Sequence, residues 1–143
     1  ETECEILRQS RKEAQTHQLP TIDPVAQADV FAARDQALEI YLADPLEQYI
    51  VEIIMATRQP ARYSSELAKW LEYGVSTRAT ISLERCARAR AWLNDRDFVS
   101  PEDIQAVAPN VLRHRLLLSY QAQAEGVTAD QVINHILSQV AVP

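Results

Sequence analysis

The sequence predicts an all-α protein, a helical bundle with a connector helix at its N-terminal end. Three features of the composition favour this class. The 143 residues include only two glycines, they are rich in Ala, Leu, Gln, Glu and Arg, and runs of β-branched residues are scarce. Residues of these types prefer helices to strands, and a chain of this length can bury one ordinary core.

The first two predicted helices differ in character. One runs from about residue 2 to 17, is polar and charged, and stops before Leu19-Pro20. Residues 1–23 are therefore interpreted as a connector, and the lack of an initiator methionine at Glu1 favours a piece of a longer protein. The second helix is expected to begin at Asp23-Pro24. Its predicted apolar side comprises Val30, Phe31, Ala37, Leu38 and Tyr41.

The third predicted helix carries the strongest signal. Asp44 is expected to cap it, Pro45 to occupy its first turn and Pro60 to end it. Apolar residues recur along it at helical spacing, so this face should be buried against partners. These residues are Leu46, Tyr49, Ile50, Ile53 and Ile54.

Two helices follow. Ser64 or Ser65 is expected to cap a short helix that runs through Leu71 and closes at Gly74. The next helix spans about residues 77–94. Its predicted buried face comprises Ala79, Leu83, Cys86, Ala87 and Leu93, and its opposite face presents Arg78, Arg85 and Arg88.

The remaining helices are predicted from prolines and caps. Ser100-Pro101 opens a short helix, and Pro109 is expected to restart the chain into a helix over residues 111–124. Thr128 and Gln131 form a capping box for the last helix. Its predicted apolar face consists of Val132, Ile133, Ile136, Leu137 and Val140.

Charge is unevenly distributed along the chain. Residues 1–57 carry 11 acidic and 4 basic side chains, net −7, whereas residues 58–143 carry 9 acidic and 10 basic ones, net +1. The overall charge of −6 argues against a free-standing DNA-binding domain, which needs a net basic face. No stretch approaches the roughly 18 apolar residues of a membrane helix, so we expect no membrane span and a cytoplasmic location.

The sequence indicates neither a metal site nor a disulfide framework. Cys4 and Cys86 lie far apart, without a Cys-x-x-Cys pair, and are expected to be free thiols. His17, His114 and His135 are too dispersed to form a set of metal ligands.

The most informative segment is Ser76-Thr77-Arg78, at the start of the helix predicted over residues 77–94. A first helical turn offers unpaired N–H groups and the positive end of the helix dipole, so an arginine there adds a guanidinium to a place that suits a phosphate. From composition alone, a surface ion pair is the simpler interpretation. The chain has no Gly-x-x-x-x-Gly-Lys-Ser/Thr loop, so if Arg78 contacts a nucleotide phosphate, another domain must bind that nucleotide.

Several segments carry a family resemblance through their residues, order and spacing. They are residues 74–80 (GVSTRAT), 96–103 (RDFVSPED) and 111–116 (VLRHRL), followed by 118–120 (LSY) and 124–126 (AEG). Together they resemble the C-terminal helical lid of the MoxR family of AAA+ ATPases. Upstream, residues 5–7 look like the helix that leaves the nucleotide-binding core, and residues 56–58 are similar to the end of the preceding lid helix.

This resemblance implies a role for Arg78. In the family a Gly-x-Ser-Pro-Arg motif supplies the sensor-2 arginine, which contacts the terminal phosphate of ATP. By position that role falls on Arg78, with Ser76 and Thr77 beside it at the helix start. Thr77 stands where the family usually has proline, so the helix start is less rigid here. Residues 24–42 could represent an extra helix found in relatives whose arginine serves a neighbouring subunit, so the subunit that Arg78 serves stays open.

The resemblance also implies a larger parent protein. Residues 24–143 would form its lid, and residues 1–23 would connect this lid to a nucleotide-binding core. The core would hold ATP and Mg²⁺. The chain alone would bind neither and would catalyse no reaction. We expect the parent protein to assemble into a ring, most simply a hexamer, and to hydrolyse ATP in that form. Its partners would be its own core, neighbouring subunits and protein clients, which it would mature or activate in a chaperone-like way.

Two other functions are weighed beside the lid. A non-enzymatic adaptor would bind partner helices through the apolar stripe on residues 46–55, and a less favoured nucleic-acid-binding module would use Arg78, Arg85, Arg88 and Arg113. For Arg113-His114-Arg115, a charged turn that ties the last two helices to a neighbouring domain is favoured over a phosphate contact. The arginines interpreted as a solvated or subunit-facing surface are Arg85, Arg88 and Arg90.

Overall fold

The computed structural model describes residues 2–16 and 23–143, and over these residues the chain is predominantly helical, as predicted. The helices are α1 (Thr2–Thr16), α2 (Gln27–Glu39), α3 (Asp44–Arg58), α4 (Ser65–Trp70), α5 (Thr77–Leu93), α6 (Pro101–Leu112), α7 (Tyr120–Ala124) and α8 (Ala129–Gln139). A short 3-10 helix covers Pro60–Arg62, and β1 (Leu71–Tyr73) pairs antiparallel with β2 (Leu117–Leu118). The chain divides into two units, Glu1–Val30 and Phe31–Pro143.

In the first unit, α1 forms a polar helix, as predicted. Over residues 2–15 its side chains are exposed except for the half-buried Glu13, and its apolar residues Ile6 and Leu7 are 57% and 62% exposed. The predicted end of this helix before Leu19-Pro20 lies outside the described residues, and so does His17.

Helix α2 differs from its prediction in two ways. It starts at Gln27 rather than at Asp23-Pro24, and none of its residues is buried. Four consecutive apolar residues, 30–33, point around most of the circumference of this helix, because neighbouring residues are about 100° apart, so the apolar side chains are not confined to one stripe. Of the residues predicted on its apolar side, Ala37 is half-buried, and the exposed ones are Val30, Phe31, Leu38 and Tyr41.

Helix α3 supplies the centre of the core in the second unit. Its predicted stripe is buried throughout: Leu46, Tyr49, Ile50, Ile53 and Ile54. Burial of each such aliphatic side chain stabilises the fold by about 1.5–3 kcal/mol. The helix begins at Asp44 itself, so Ala43 occupies the cap position and Asp44 lies in the first turn. Buried residues of the same core cluster include Leu67, Leu83, Ile104, Leu112, Ile133 and Ile136.

Small side chains line the buried face of α5. This face consists of Ala79, Leu83, Ala87 and Ala91, none of which is exposed. These residues recur every four positions, so they form one stripe that lets α5 approach its neighbours closely. Cys86 and Leu93 were predicted on this face but are exposed, Leu93 to 72%. Each lies about a quarter of a turn around the helix from the centre of the stripe.

Two regions depart from the predicted helices. The first is the end of α4, which stops at Trp70, so that Leu71 and Tyr73 pair with Leu118 and Leu117 of β2. Pro109 lies inside α6 and does not restart the chain, since the packing of Ala108, Val111 and Leu112 in the core outweighs the hydrogen bond that a proline removes. The helix predicted over residues 111–124 is therefore replaced by the end of α6, β2 and α7.

The predicted caps are confirmed at three helices. Ser64, rather than Ser65, caps α4 by accepting a hydrogen bond from the Glu66 N–H at 3.1 Å. Helix α6 starts after Ser100, whose N–H donates to Asp103 at 3.0 Å. The capping box of α8 is complete, because Thr128 Oγ1 accepts from the Gln131 N–H at 3.2 Å and the Thr128 N–H donates to Gln131 Oε1 at 2.8 Å.

Candidate functional site at the start of helix α5

Arg78 is the second residue of α5. Thr77 is the first residue of the helix, and Ser76 precedes it in an extended conformation, with φ −78° and ψ 169°. The Ser76 carbonyl accepts a hydrogen bond from the Ala79 N–H at 2.9 Å, whereas the Ser76 hydroxyl makes no capping bond. Ser76, Thr77 and Arg78 are all exposed, so these three residues at the start of α5 face solvent, and the helix cap is incomplete.

The Arg78 side chain has no partner in the described part of the chain, where it forms no hydrogen bond or ion pair. Most arginines of the second unit do have partners. Those with a hydrogen bond, an ion pair or a ring contact are Arg34, Arg58, Arg62, Arg88, Arg90, Arg96, Arg113 and Arg115. Arg85, like Arg78, has no hydrogen bond or ion pair among the described residues, and it lies two turns further along the same helix.

The backbone that leads into α5 lies directly against α3. A Cβ atom added at Gly74 would lie 2.6 Å from the carbonyl carbon of Thr57 and 2.8 Å from Cα of Arg58. Both are backbone atoms and cannot rotate away. Glycine is therefore required at position 74 by this close approach of two backbone segments.

Val75 is held by two side chains at the end of α3. Its N–H donates to Thr57 Oγ1 at 3.1 Å, and its carbonyl accepts from Arg58 Nε at 2.8 Å. The Thr57 hydroxyl in turn donates to the carbonyl of Ile54 at 2.7 Å. Thr57 and Val75 are 1% and 3% exposed. We call these two hydrogen bonds from Thr57 and Arg58 to Val75 the Val75 clamp.

Sequence reasoning missed the Val75 clamp. The Ala56-Thr57-Arg58 segment was linked to a family only as the end of a helix. A signal was available, because Thr57-Arg58 ends the apolar run of α3 with two side chains that can form hydrogen bonds, but their partner lies 17 or 18 residues away in sequence.

Two other arginines of α5 have partners within the chain. The Arg88 side chain is only 17% exposed, so it is not a fully solvated surface residue, whereas Arg90 is 47% exposed, as predicted. A subunit-facing role for this surface stays a prediction. Arg88 pairs with Glu84 at 2.7 Å and donates to the carbonyls of Leu38 and Ile40. The Arg90 Nε lies 3.4 Å from the buried Asp103. Periodicity places both arginines on the outer side of the helix but cannot show which carbonyls or carboxylates approach them there.

Asp103 is a buried charge with several partners. Arg96 donates to its two carboxylate oxygens at 2.7 and 2.5 Å. Burial raises the pKa of this carboxyl, but hydrogen bonds from Arg96 and Ser100 outweigh that effect, so the pKa of Asp103 lies below its ordinary value. The cluster joins the start of α6 to the loop that follows α5.

The Arg113-His114-Arg115 segment makes contacts within the chain. Arg113 donates to Asp130 at 2.6 Å, which links the end of α6 to the first turn of α8. This hydrogen bond raises the pKa of Arg113. Arg115 donates to the carbonyl of Val111, and His114 is exposed. A tie from this segment to a neighbouring domain stays a prediction.

The described residues contain neither a metal site nor a membrane span. No group of three His, Cys, Asp or Glu side chains that could hold a metal ion occurs within residues 2–16 and 23–143. Cys4 and Cys86 are free and exposed, and His135 contacts Ser64 and the edge of Trp70. Among the described helices, none combines the length and apolar content that crossing a bilayer requires.

Residues 66–136 match the AAA lid domain family. The chain is 35% identical over 116 residues to the chaperone MoxR1 of Mycobacterium tuberculosis, an alignment that covers 80% of this chain and 31% of that protein. It is 36% identical over 142 residues to the uncharacterized protein YeaC of Bacillus subtilis, covering 99% of this chain and 41% of that protein.

A solved structure supports the same assignment. The crystal structure of a proposed ATPase from Cytophaga hutchinsonii is similar with a TM-score of 0.80 and 44% identity, over 83% of this chain and 36% of that one. The chain thus spans less than half the length of each of these relatives. By the matched lid domain and these relatives together, the chain belongs to the MoxR family of AAA+ proteins and contains their AAA lid domain.

Proposed function

We propose that this chain is the nucleotide-responsive lid of an ATP-hydrolysing AAA+ protein, and that Arg78 contacts the terminal phosphate of ATP. One observation carries the proposal. Arg78 is exposed in the first turn of α5 and has no partner among the described residues, while the backbone before it is fixed by the Val75 clamp. A fixed backbone with a free guanidinium is the arrangement expected of a residue that meets a ligand from outside its own domain.

The residues at this site suit a phosphate better than a metal ion. A guanidinium keeps its charge at all physiological pH values and can donate two parallel hydrogen bonds to phosphate oxygens. The N–H groups of the first turn add partial positive charge. Carboxylates suited to Mg²⁺ do not cluster among the described residues, so the metal would be held by another domain.

The proposed division of labour follows from this chemistry. A nucleotide-binding core, joined through residues 1–23 to a lid of residues 24–143, would hold ATP and Mg²⁺ and carry out the hydrolysis. Arg78 would bind the terminal phosphate and so favour one orientation of the lid, which is released when that phosphate leaves. The nucleotide contacted belongs either to the same subunit or to its neighbour in a ring.

The cellular role is proposed from the family. We propose a cytoplasmic ring, of six subunits in the simplest case, that acts in a chaperone-like way on protein clients during maturation or activation of their complexes. The name of the relative MoxR1, a chaperone, supports this direction. The clients would be recognised by parts of the ring that the lid moves.

The two other functions are less well supported. The apolar stripe that an adaptor would need lies in the chain's own core, with Leu46, Tyr49 and Ile53 all at most 7% exposed. A nucleic-acid-binding module would need Arg88 and Arg113, but both are bound to acceptors within the chain.

The test compares Arg78→Ala with Arg85→Ala in the full-length protein that contains this chain. Loss of a donor that binds charge in the transition state should lower magnesium-dependent ATP hydrolysis by about tenfold or more. Arg85→Ala removes another exposed arginine of the same helix, also without a partner among the described residues, and should leave the rate unchanged. Equal rates for the two variants in assembled protein would show that Arg78 is an ordinary surface residue.

A further inference from the structure

We propose that Thr57 and Arg58 are positioning residues that aim Arg78 at the phosphate by holding Val75 in the clamp. This inference rests on the proposed phosphate contact of Arg78. Neither residue would touch the nucleotide itself. They would act through the backbone of the three residues that lead from β1 into α5.

The clamp uses both polar main-chain groups of Val75. Thr57 accepts from its N–H and Arg58 donates to its carbonyl, so the peptide groups on both sides of Val75 are fixed relative to α3. The missing Cβ of Gly74 lets the same segment lie against the backbone of α3. The buried side chain of Val75 adds a third constraint. Translation and rotation of this segment are therefore both restricted.

Little chain separates the clamp from the guanidinium. Only Ser76 lies between Val75 and the first residue of α5, and Arg78 is the second residue of that helix. One extended residue has no slack to absorb a shift at Val75, so a displaced clamp would displace the first turn of α5. Paired hydrogen bonds from a guanidinium to a phosphate depend on direction, and small misplacements of such groups weaken them strongly.

Local capping does not replace the clamp. The Ser76 hydroxyl makes no capping bond, and Thr77 at the first helical position lacks the fixed φ that a proline would supply. The start of α5 therefore depends on its contacts with α3 for its direction. We infer that Arg58 contributes more to the aim of Arg78 than to the stability of the core, because its side chain is exposed and bonds only at the edge of the packed interior.

The first experiment measures amide hydrogen exchange in the nucleotide-free, full-length protein. Arg58→Ala and Thr57→Val each remove one hydrogen bond of the clamp, so exchange over residues 74–80 should become about fivefold faster or more. Thr57→Ser keeps the hydroxyl and Arg58→Lys keeps a donor, so both should restore most of the protection. Arg62→Ala is the control, since its partner is the nearby Gln59. Unchanged exchange in Arg58→Ala would overturn the proposal.

The second experiment measures the affinities for ATP and ADP in the same protein. Arg58→Ala should weaken ATP binding by about threefold to tenfold and leave ADP binding unchanged, because only ATP carries the phosphate that Arg78 contacts. In an Arg78→Ala background, Arg58→Ala should have no further effect. Equal losses for both nucleotides, or effects that add to Arg78→Ala, would indicate a merely structural role and overturn the proposal.

These outcomes separate the two levels of inference. If Arg78→Ala weakens ATP binding but Arg58→Ala does not, the positioning role is wrong and the phosphate contact stands. If Arg78→Ala leaves ATP binding unchanged, the phosphate contact is wrong, and the positioning role falls with it whatever the exchange rates show.

Discussion

Arg58 donates a hydrogen bond from Nε to the carbonyl oxygen of Val75, 2.8 Å away, and so joins the end of α3 to the segment that enters α5. The two residues are 17 positions apart in sequence. This long-range bond accompanies a helix start whose own cap is incomplete. The direction of α5 is therefore specified by tertiary contacts rather than by local capping alone.

Gly74→Ala should destabilise the fold. The new Cβ would lie within 2.8 Å of backbone atoms of Thr57 and Arg58, so α3 and the segment before α5 would have to separate. Forced displacement of packed elements costs about 1–3 kcal/mol, which urea unfolding at equilibrium would detect.

Gly126→Asn is the matched control for this substitution. Gly126 has φ +71°, a Cβ atom added there would meet nothing within 4 Å, and asparagine tolerates this left-handed conformation. Its cost should stay below about 1 kcal/mol. If the two variants unfold at the same urea concentration, the close approach at Gly74 is not a constraint on the fold.

Asp103→Asn should be among the more destabilising polar substitutions in the chain. Asp103 is 1% exposed and receives two hydrogen bonds from Arg96, so loss of its charge leaves a half-buried guanidinium without its counter-ion. Breaking a buried pair costs about 3–5 kcal/mol, and because the Arg96 side chain is 30% exposed, the cost here should lie at the low end of that range. Asp130→Asn removes the partner of Arg113, but both of those side chains are about half exposed, and the cost should be below about 1 kcal/mol. Chemical denaturation of both variants tests the contrast.

The lowered pKa of the Asp103 carboxyl leads us to expect that the free energy of unfolding falls in acid. The pKa of Asp103 is lower in the folded chain than in the unfolded one, so the folded state binds this proton less readily. Its contribution is complete above the unfolded pKa of about 4 and is lost as the pH falls through the folded pKa. Thermal unfolding between pH 7 and 3 should therefore show a smaller loss of stability in Asp103→Asn than in the unmodified chain. Parallel curves would contradict this assignment.

Features of the fold could be predicted from the sequence where the residues that specify them lie close together in the chain. The stripe of α3 from Leu46 to Ile54 and the capping box at Thr128 are encoded within a few residues, and both are present. Pro109 carries a local signal to end a helix, but the buried Val111 and Leu112 keep α6 continuous. In that case tertiary packing outweighs the local preference.

Contacts between distant segments could not be predicted in this way. The strands of β1 and β2 are two or three residues long, too short for a periodic pattern, and they pair Leu71 with Leu118. The bonds from Arg88 to the carbonyls of Leu38 and Ile40 likewise join positions about 50 residues apart. For the candidate site, the sequence indicated Arg78 but not the clamp that holds its backbone.

The chain alone should not hydrolyse ATP. It contains no glycine-rich phosphate loop, and the described residues offer no cluster of carboxylates for Mg²⁺. Positioning a triphosphate for transfer needs both. Phosphate release by the purified 143-residue chain, measured with magnesium and ATP, should equal the background without protein. Turnover that copurifies with the chain through successive columns would refute the proposed lid role.

The last prediction separates fold from function with three arginines of one helix. Arg88→Ala removes an ion pair with Glu84 and hydrogen bonds to two carbonyls, so it should lower the free energy of unfolding by about 1–3 kcal/mol. Arg78→Ala and Arg85→Ala remove exposed side chains without partners in the described part of the chain and should each stay within about 0.5 kcal/mol.

The rates of ATP hydrolysis should divide the same three variants differently. In the full-length protein, Arg78→Ala should lose turnover while retaining its stability, because the contact it removes is made only with nucleotide bound. Arg85→Ala should retain both properties. Arg88→Ala should lose stability first, and its turnover should recover towards the unmodified rate at temperatures well below its unfolding transition. If Arg78→Ala loses stability as well as turnover, its side chain supports the fold, and the lost rate no longer identifies a phosphate contact.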